Sequence, residues 1–280
     1  MSLAPTLLVV AITFPVQFHL FGRSIHAHAL FEVLAYVVGF QTYLLIRRRQ
    51  RAGAALPVEQ NLWVIVGCVF GALIGAKVLA WLESPIDYWS HRHELAAWAG
   101  GKTIVGGLLG GWVGVEVAKR IMGVTRRTGD AFVFPLILGI AIGRVGCFLT
   151  GLSDHTHGIA TSLPWAVDFG DGVPRHPTQL YEVAFLLILG ALLIVRSRRA
   201  LEPGELFRWF LLGYLAFRFL VEFIKPRYTI PFLNLSAIQI ASLLGACICA
   251  IQLLRGRRGK RKREADDDPA HATAPSPAAA

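Results

Sequence analysis

Seven runs of about 20 apolar residues dominate this chain, at about 27–46, 61–82, 103–122, 130–150, 178–195, 205–224 and 234–254. A helix of roughly that length crosses a hydrocarbon core about 30 Å thick, and lipid forces backbone polar groups to be satisfied within the segment. Composition agrees, because 54% hydrophobic against 16% charged residues would leave large apolar patches facing water. The pattern predicts an all-α polytopic membrane protein, with seven transmembrane helices in a single transmembrane domain over residues 1–254. Within the first 26 residues, the apolar stretch 7–21 is broken by Pro15 and has neither a basic start nor a clear cleavage site. Residues 1–26 therefore read as a retained interfacial arm rather than a signal peptide.

Charge placement sets an orientation. The net charge of +10 is concentrated in alternate loops beside the runs, which argues against nucleic acid and for the positive-inside rule. One set of loops holds Arg47, Arg48, Arg49 and Arg51, then Lys119, Arg120, Arg126 and Arg127, then Arg196, Arg198 and Arg199. The tail, starting with Arg255, Arg257 and Arg258, falls on the same side. The opposite loops carry only Arg23, Arg92, Lys102, Arg175, Lys225 and Arg227. This predicts an outside amino terminus and a cytoplasmic carboxyl terminus, a polarity that only an odd number of spans satisfies. Residues 255–280 pass from a basic cluster to acidic and Ala/Pro-rich sequence and read as a disordered tail.

Glycines recur at four-residue spacing: Gly67, Gly71 and Gly75, then Gly107 and Gly111, Gly110 and Gly114, and Gly139 and Gly143. Such spacing lets helix backbones approach closely where lipid gives no hydrophobic drive. The four cysteines, Cys68, Cys147, Cys247 and Cys249, all fall in apolar runs, so no disulfide framework follows from them.

Ionisable groups within spans are expensive and mark function or partners. Arg144 lies in the outer part of the fourth run, and Arg218 and Glu222 in the outer half of the sixth. Tyr214, Arg218 and Glu222 are each four residues apart and share a helix face. Two arginines near the outer headgroup region suggest a bound anion; mutual neutralisation of Arg218 and Glu222 is the plainer alternative. Pro177 is placed to start a helix whose first turns, Thr178, Gln179, Tyr181 and Glu182, are unusually polar for a span. His176 is the side chain there able to move a proton near neutral pH. His26 and His28, His91 and His93, and His155 and His157 form three His-x-His pairs, but none has a Cys or carboxylate at ligand spacing apart from Asp154 beside His155. No metal and no cofactor is expected.

Four strings then resemble successive signatures of the prolipoprotein diacylglyceryl transferase family. They are Gly143-Arg144-Val145-Gly146-x-Phe148; Gly158 followed by Leu163-Pro164-Trp165; Pro174 to Glu182; and Tyr214-x-x-x-Arg218-Phe219-x-x-Glu222-Phe223. The resemblance implies transfer of the diacylglyceryl group of phosphatidylglycerol to the thiol of a lipobox cysteine in a prolipoprotein. Glycerol phosphate is released, in a multi-pass protein of the bacterial inner membrane. It implies that Arg144 and Arg218 hold the phosphate, that Glu222 and Tyr214 orient Arg218, and that Gln179, Tyr181, Glu182, Gly158, His28 and Cys147 line the substrate site.

The sequence departs from the family pattern at Val105, where a histidine usually precedes the Gly-Gly pair. Cys147 replaces an asparagine, His28 stands in place of a tyrosine, and the segment 152–157 is longer than usual. The missing base is open to His28, His155, His157, His176 or a phosphate oxygen, and Cys147 is either a small core residue or itself a nucleophile. A rival reading is a paralogue that binds phosphatidylglycerol or handles lipoproteins without the transfer. A transporter is disfavoured by the absence of an internal repeat in hydropathy.

Overall fold

A computed structural model describes residues 13–20, 23–50, 56–94, 100–226, 229–230 and 234–266. Most of the arm (1–12 and 21–22), Arg51, Arg227 and the end of the tail (267–280) lie outside the described residues. The fold is mostly helical. Among the described residues its helices are α1 (Ala27–Arg49), α2 (Val58–Glu83), α3 (Pro85–Ser90), α4 (Ile104–Ile121), α5 (Val133–Thr150), α6 (Thr178–Ser197), α7 (Glu205–Val221) and α8 (Ala237–Asp266). Two short antiparallel pairs join them, β1 (Gln17–Leu20) with β2 (Arg23–His26), and β3 (Val167–Asp168) with β4 (Pro174–Arg175).

Among the described residues, five segments are long and apolar enough to cross a membrane: Ala27–Arg49, Val58–Glu83, Gly129–Asp154, Thr178–Ser197 and Ala237–Gly256. This is a multi-pass membrane protein. The runs expected at 103–122 and 205–224 are also helical, as α4 and α7. However, α4 carries Glu116, Lys119 and Arg120 within 18 residues, and α7 carries Glu205, Arg208 and Arg218 within 17. Length and composition alone therefore do not make spans of these two.

The tail departs from expectation. Disorder was expected from residue 255, but α8 continues to Asp266, because arginine and lysine are good helix formers and suit a helix carboxyl end.

The described chain forms two compact units. The first comprises residues 1–56, 131–192 and 220–236. In it α1 packs along α5, with glycine where the helices crowd: a Cβ on Gly146 would lie 2.5 Å from Phe31 Cβ. Of the expected glycine pair on this helix, Gly139 faces the Ala35 carbonyl, whereas a Cβ on Gly143 would meet nothing within 4 Å. The arm docks on the end of α5, where the Val16 amide donates to the Leu149 carbonyl (2.9 Å). There Phe14 packs edge-on against Phe148 and Phe169, at centroid distances of 5.4 and 5.1 Å.

The second unit comprises residues 57–130, 193–219 and 237–280. Its core is the α2–α4 pair, in which Gly67, Gly71 and Gly75 meet Gly106, Gly110 and Gly114 backbone to backbone. A Cβ on Gly67 would lie 2.6 Å from the Gly114 carbonyl oxygen. Asp130 caps α7 from a distant part of the sequence, its carboxylate accepting from the Gly204 and Phe207 amides at 2.6 and 2.9 Å. Two otherwise orphaned amides at a helix start are thereby satisfied. Asp130→Ala is expected to cost about 1–2 kcal/mol, read as a fall of a few degrees in thermal unfolding in detergent.

Candidate active site

In the first unit the last two turns of α5 place Arg144 and Cys147 three residues apart, hence on one face. The Arg144 Nη1 donates to Cys147 Sγ across 3.7 Å, and both side chains are buried. Glu182, from the second turn of α6, is 2% exposed and places Oε2 2.9 Å from Arg144 Nε. An arginine at this depth without a carboxylate would carry an uncompensated charge, so the pair neutralises the site and fixes the guanidinium plane. Glu182 was expected beside Gln179 at the head of this helix; its role as the Arg144 partner is new.

Pro177 starts α6 as expected, its carbonyl accepting from the Leu180 and Tyr181 amides. Gln179 is 1% exposed, and neither of its amide atoms has a hydrogen-bond partner among the described residues. A buried amide left unsatisfied is costly, and a polar ligand would relieve that cost. His176 is held by a relay. Trp165 Nε1 donates to the Tyr181 hydroxyl at 2.7 Å, and that hydroxyl lies 3.1 Å from His176 Nδ1. If Tyr181 donates onward, the neutral imidazole keeps its proton on Nε2, as a donor rather than a base.

Gly158 has a positioning role: a Cβ there would strike His176 Cβ at 2.5 Å, and its amide donates to the His176 carbonyl at 2.9 Å. Outside the spans, burial, and then the nearby Arg175, His155 and Lys225, hold His157 below its ordinary pKa, which keeps it neutral at pH 7. Arg175 is bound to Asp171 at 2.6 Å, and its hydrogen bond holds that exposed carboxyl below the usual carboxylate range.

Residues from three separate segments meet in this unit. At the start of α1, His28 Nδ1 lies 3.1 Å from Asp154 Oδ1, and Nε2 lies 3.6 Å from Glu32 Oε2. The other Asp154 oxygen accepts from the Thr156 hydroxyl at 2.5 Å, and the Thr156 carbonyl accepts from Thr178 at 2.6 Å. The sequence reading did not single out Asp154, Glu32 or Thr156 as site residues. The departures at His28, Cys147 and the segment 152–157 pointed this way.

Arg218 and Tyr214 lie in the second unit, both buried, with Tyr214 stacked on Phe210 at 6.0 Å. Glu222 is buried in the first unit, and Val105 in the second is 1% exposed.

The family profile of the prolipoprotein diacylglyceryl transferases matches residues 15–255. The chain belongs to the prolipoprotein diacylglyceryl transferase family. Several curated phosphatidylglycerol–prolipoprotein diacylglyceryl transferases are similar to it. That of Bordetella bronchiseptica is 36% identical over 225 residues, covering 75% of this chain and 82% of the relative. That of Geobacter sulfurreducens is 35% identical over 213 residues, covering 73% and 81%. That of Cupriavidus metallidurans is 35% identical over 244 residues, covering 81% and 85%. Arg144, in the Gly143-Arg144-Val145-Gly146 string, has a buried carboxylate partner in Glu182, and Val105 is apolar and buried.

Proposed function

We propose that this protein transfers the diacylglyceryl group of phosphatidylglycerol to the thiol of a lipobox cysteine in a prolipoprotein, forming a thioether and releasing glycerol phosphate. It does so in the bacterial inner membrane, through seven spans with the amino terminus outside and the basic carboxyl end in the cytoplasm. The observation that carries the reading is the buried Arg144, fixed by Glu182 at 2.9 Å and standing in the family's Gly-Arg-x-Gly string. Charge develops on the phosphate as its bond to the glyceryl carbon breaks, and a pre-oriented guanidinium in a dry setting stabilises that charge without reorganising. Gln179 supplies further polar contact to the headgroup. By the family resemblance Arg218, with Tyr214 one turn before it on the same helix, is the second phosphate-binding cation of this proposal. His176, held by Tyr181, donates a hydrogen bond from Nε2 to the leaving oxygen.

The buried Val105 favours a second reading, a relative that binds the lipid but has lost turnover. A transfer assay separates the two, using purified protein, phosphatidylglycerol labelled in its glyceride part, and a lipobox peptide. Label is expected on the peptide and absent from its Cys-to-Ser form. Arg92→Ala should leave transfer unchanged, since Arg92 is exposed and rests on Trp89 at 5.0 Å. Lipid that co-purifies without any label moving to the peptide would favour the binding protein.

A further inference from the structure

The cluster at the outer end of α5 has the composition and geometry of a metal site. His28, Cys147 and Asp154 each offer one ligand atom, and the three atoms lie within 4.8 Å of one another. Imidazole, thiolate and carboxylate are the ligand types of zinc, and three protein ligands with an open fourth position are the mark of a working rather than a structural site. Zn–N and Zn–O bonds of about 2.0–2.1 Å and a Zn–S bond of about 2.3 Å give tetrahedral edges of about 3.3–3.6 Å. The separation of 3.1 Å between His28 Nδ1 and Asp154 Oδ1 is already close to such an edge.

Two further observations point to a ligand. His28 Nδ1 is shielded from solvent and has no aligned hydrogen bond among the described residues, despite the carboxylate oxygen facing it. A cation between nitrogen and oxygen resolves that mismatch. In addition, the outer contacts are those that fix metal ligands. Glu32 sits 3.6 Å from the other ring nitrogen, leaving Nδ1 as the ligating atom, and Thr156 occupies Asp154 Oδ2, leaving Oδ1. The opposing charge of Arg144, 3.7 Å from the same sulfur, is offset by Glu182. Cys147, Asp154 and a divalent cation then sum to neutral.

We propose that His28, Cys147 and Asp154 hold a zinc-class divalent cation whose open fourth position takes the thiol of the acceptor cysteine. This deepens the transfer reading and rests on it. A thiol bound to such a cation is deprotonated outright, so no histidine at position 105 is required. The thiol proton passes to water. The bound sulfur attacks the glyceryl carbon that carries the phosphate; the S–C bond forms as the C–O bond breaks, and its electron pair leaves on the phosphate oxygen of glycerol phosphate. No redox change occurs.

The test uses full-length protein purified in detergent through a histidine-free tag, stripped with chelator and reloaded with zinc or cobalt. About one equivalent of zinc per chain is expected, with affinity at least tenfold lower in His28→Ala and Asp154→Asn and unchanged in His91→Ala. The Asn variant keeps the Asp154 shape if the alanine variant fails to fold. Cobalt should give a thiolate charge-transfer band that Cys147→Ser weakens and that a lipobox peptide, but not its Cys-to-Ser form, strengthens. No retained metal, or equal retention in all three histidine and aspartate variants, overturns the site. Transfer of label at full rate by metal-free protein overturns its role alone. Metal and peptide thiol binding without movement of label leaves the site standing and fails the transfer reading alone.

Discussion

Arg144→Ala is expected to remove transfer activity by about 10²–10³-fold or more, the loss typical when a pre-oriented charge stabiliser is deleted. The same substitution leaves Glu182 as a buried carboxylate that is 2% exposed. Breaking such a pair by removing one partner costs about 3–5 kcal/mol. Loss of activity in Arg144→Ala alone would therefore mix two causes, unfolding and missing chemistry. Arg144→Ala/Glu182→Gln separates them, because the neutral amide removes the stranded charge. The double variant should regain most of the thermal stability in detergent while transfer stays abolished. Glu182→Gln by itself should keep Arg144 charged but free its plane, giving an intermediate rate. Recovery of transfer in the double variant would show that Arg144 only neutralises Glu182 and has no part in the chemistry.

Burial cost explains why this half of the site was legible in the sequence. An arginine within an apolar run is too expensive to be incidental, so Arg144 and the polar head of α6 stood out from composition alone. Pairing was not legible, because Arg144 and Glu182 come from different helices and no spacing rule links them. The cluster of His28, Cys147 and Asp154 was hidden for the same reason. Its members come from the head of α1, the last turns of α5 and the loop after it, and although each lies at a departure from the family pattern, no spacing rule joins them. Ligand spacing along the sequence gives the three His-x-His pairs and Asp154 beside His155, and does not reach across segments. The short strands were missed because two to four residues give no alternation to read, and β1 and β2 hold Gln17, His19, Arg23 and Ser24 among their residues. Helical continuation of α8 past residue 254 was missed because a loss of hydrophobicity ends a span but not a helix.

Gly110→Ala is expected to be among the most damaging single methyls added to the second unit. Its Cβ would fall well inside contact distance of the Gly71 carbonyl oxygen and 2.8 Å from Gly75 Cα. Both neighbours are backbone on a facing helix, so no side chain can turn aside, and α2 and α4 must separate along their seam. Overpacking of this kind costs typically about 1–3 kcal/mol, and more when only backbone can yield. Gly107 supplies the internal comparison. It lies one turn earlier on the same helix, but a Cβ there would meet only Ala72 O at 3.8 Å and Ala76 Cβ at 3.9 Å, which are ordinary contacts. Gly107→Ala should be neutral or stabilising by up to about 1 kcal/mol, the difference in helix propensity. Thermal unfolding of the two purified variants in the same detergent gives the comparison directly. A large fall for Gly110→Ala beside little change for Gly107→Ala means that the glycine repeat works by close approach of α2 and α4. Equal falls would mean instead that both glycines matter through backbone flexibility, and the seam would lose its role as the organising contact of that unit.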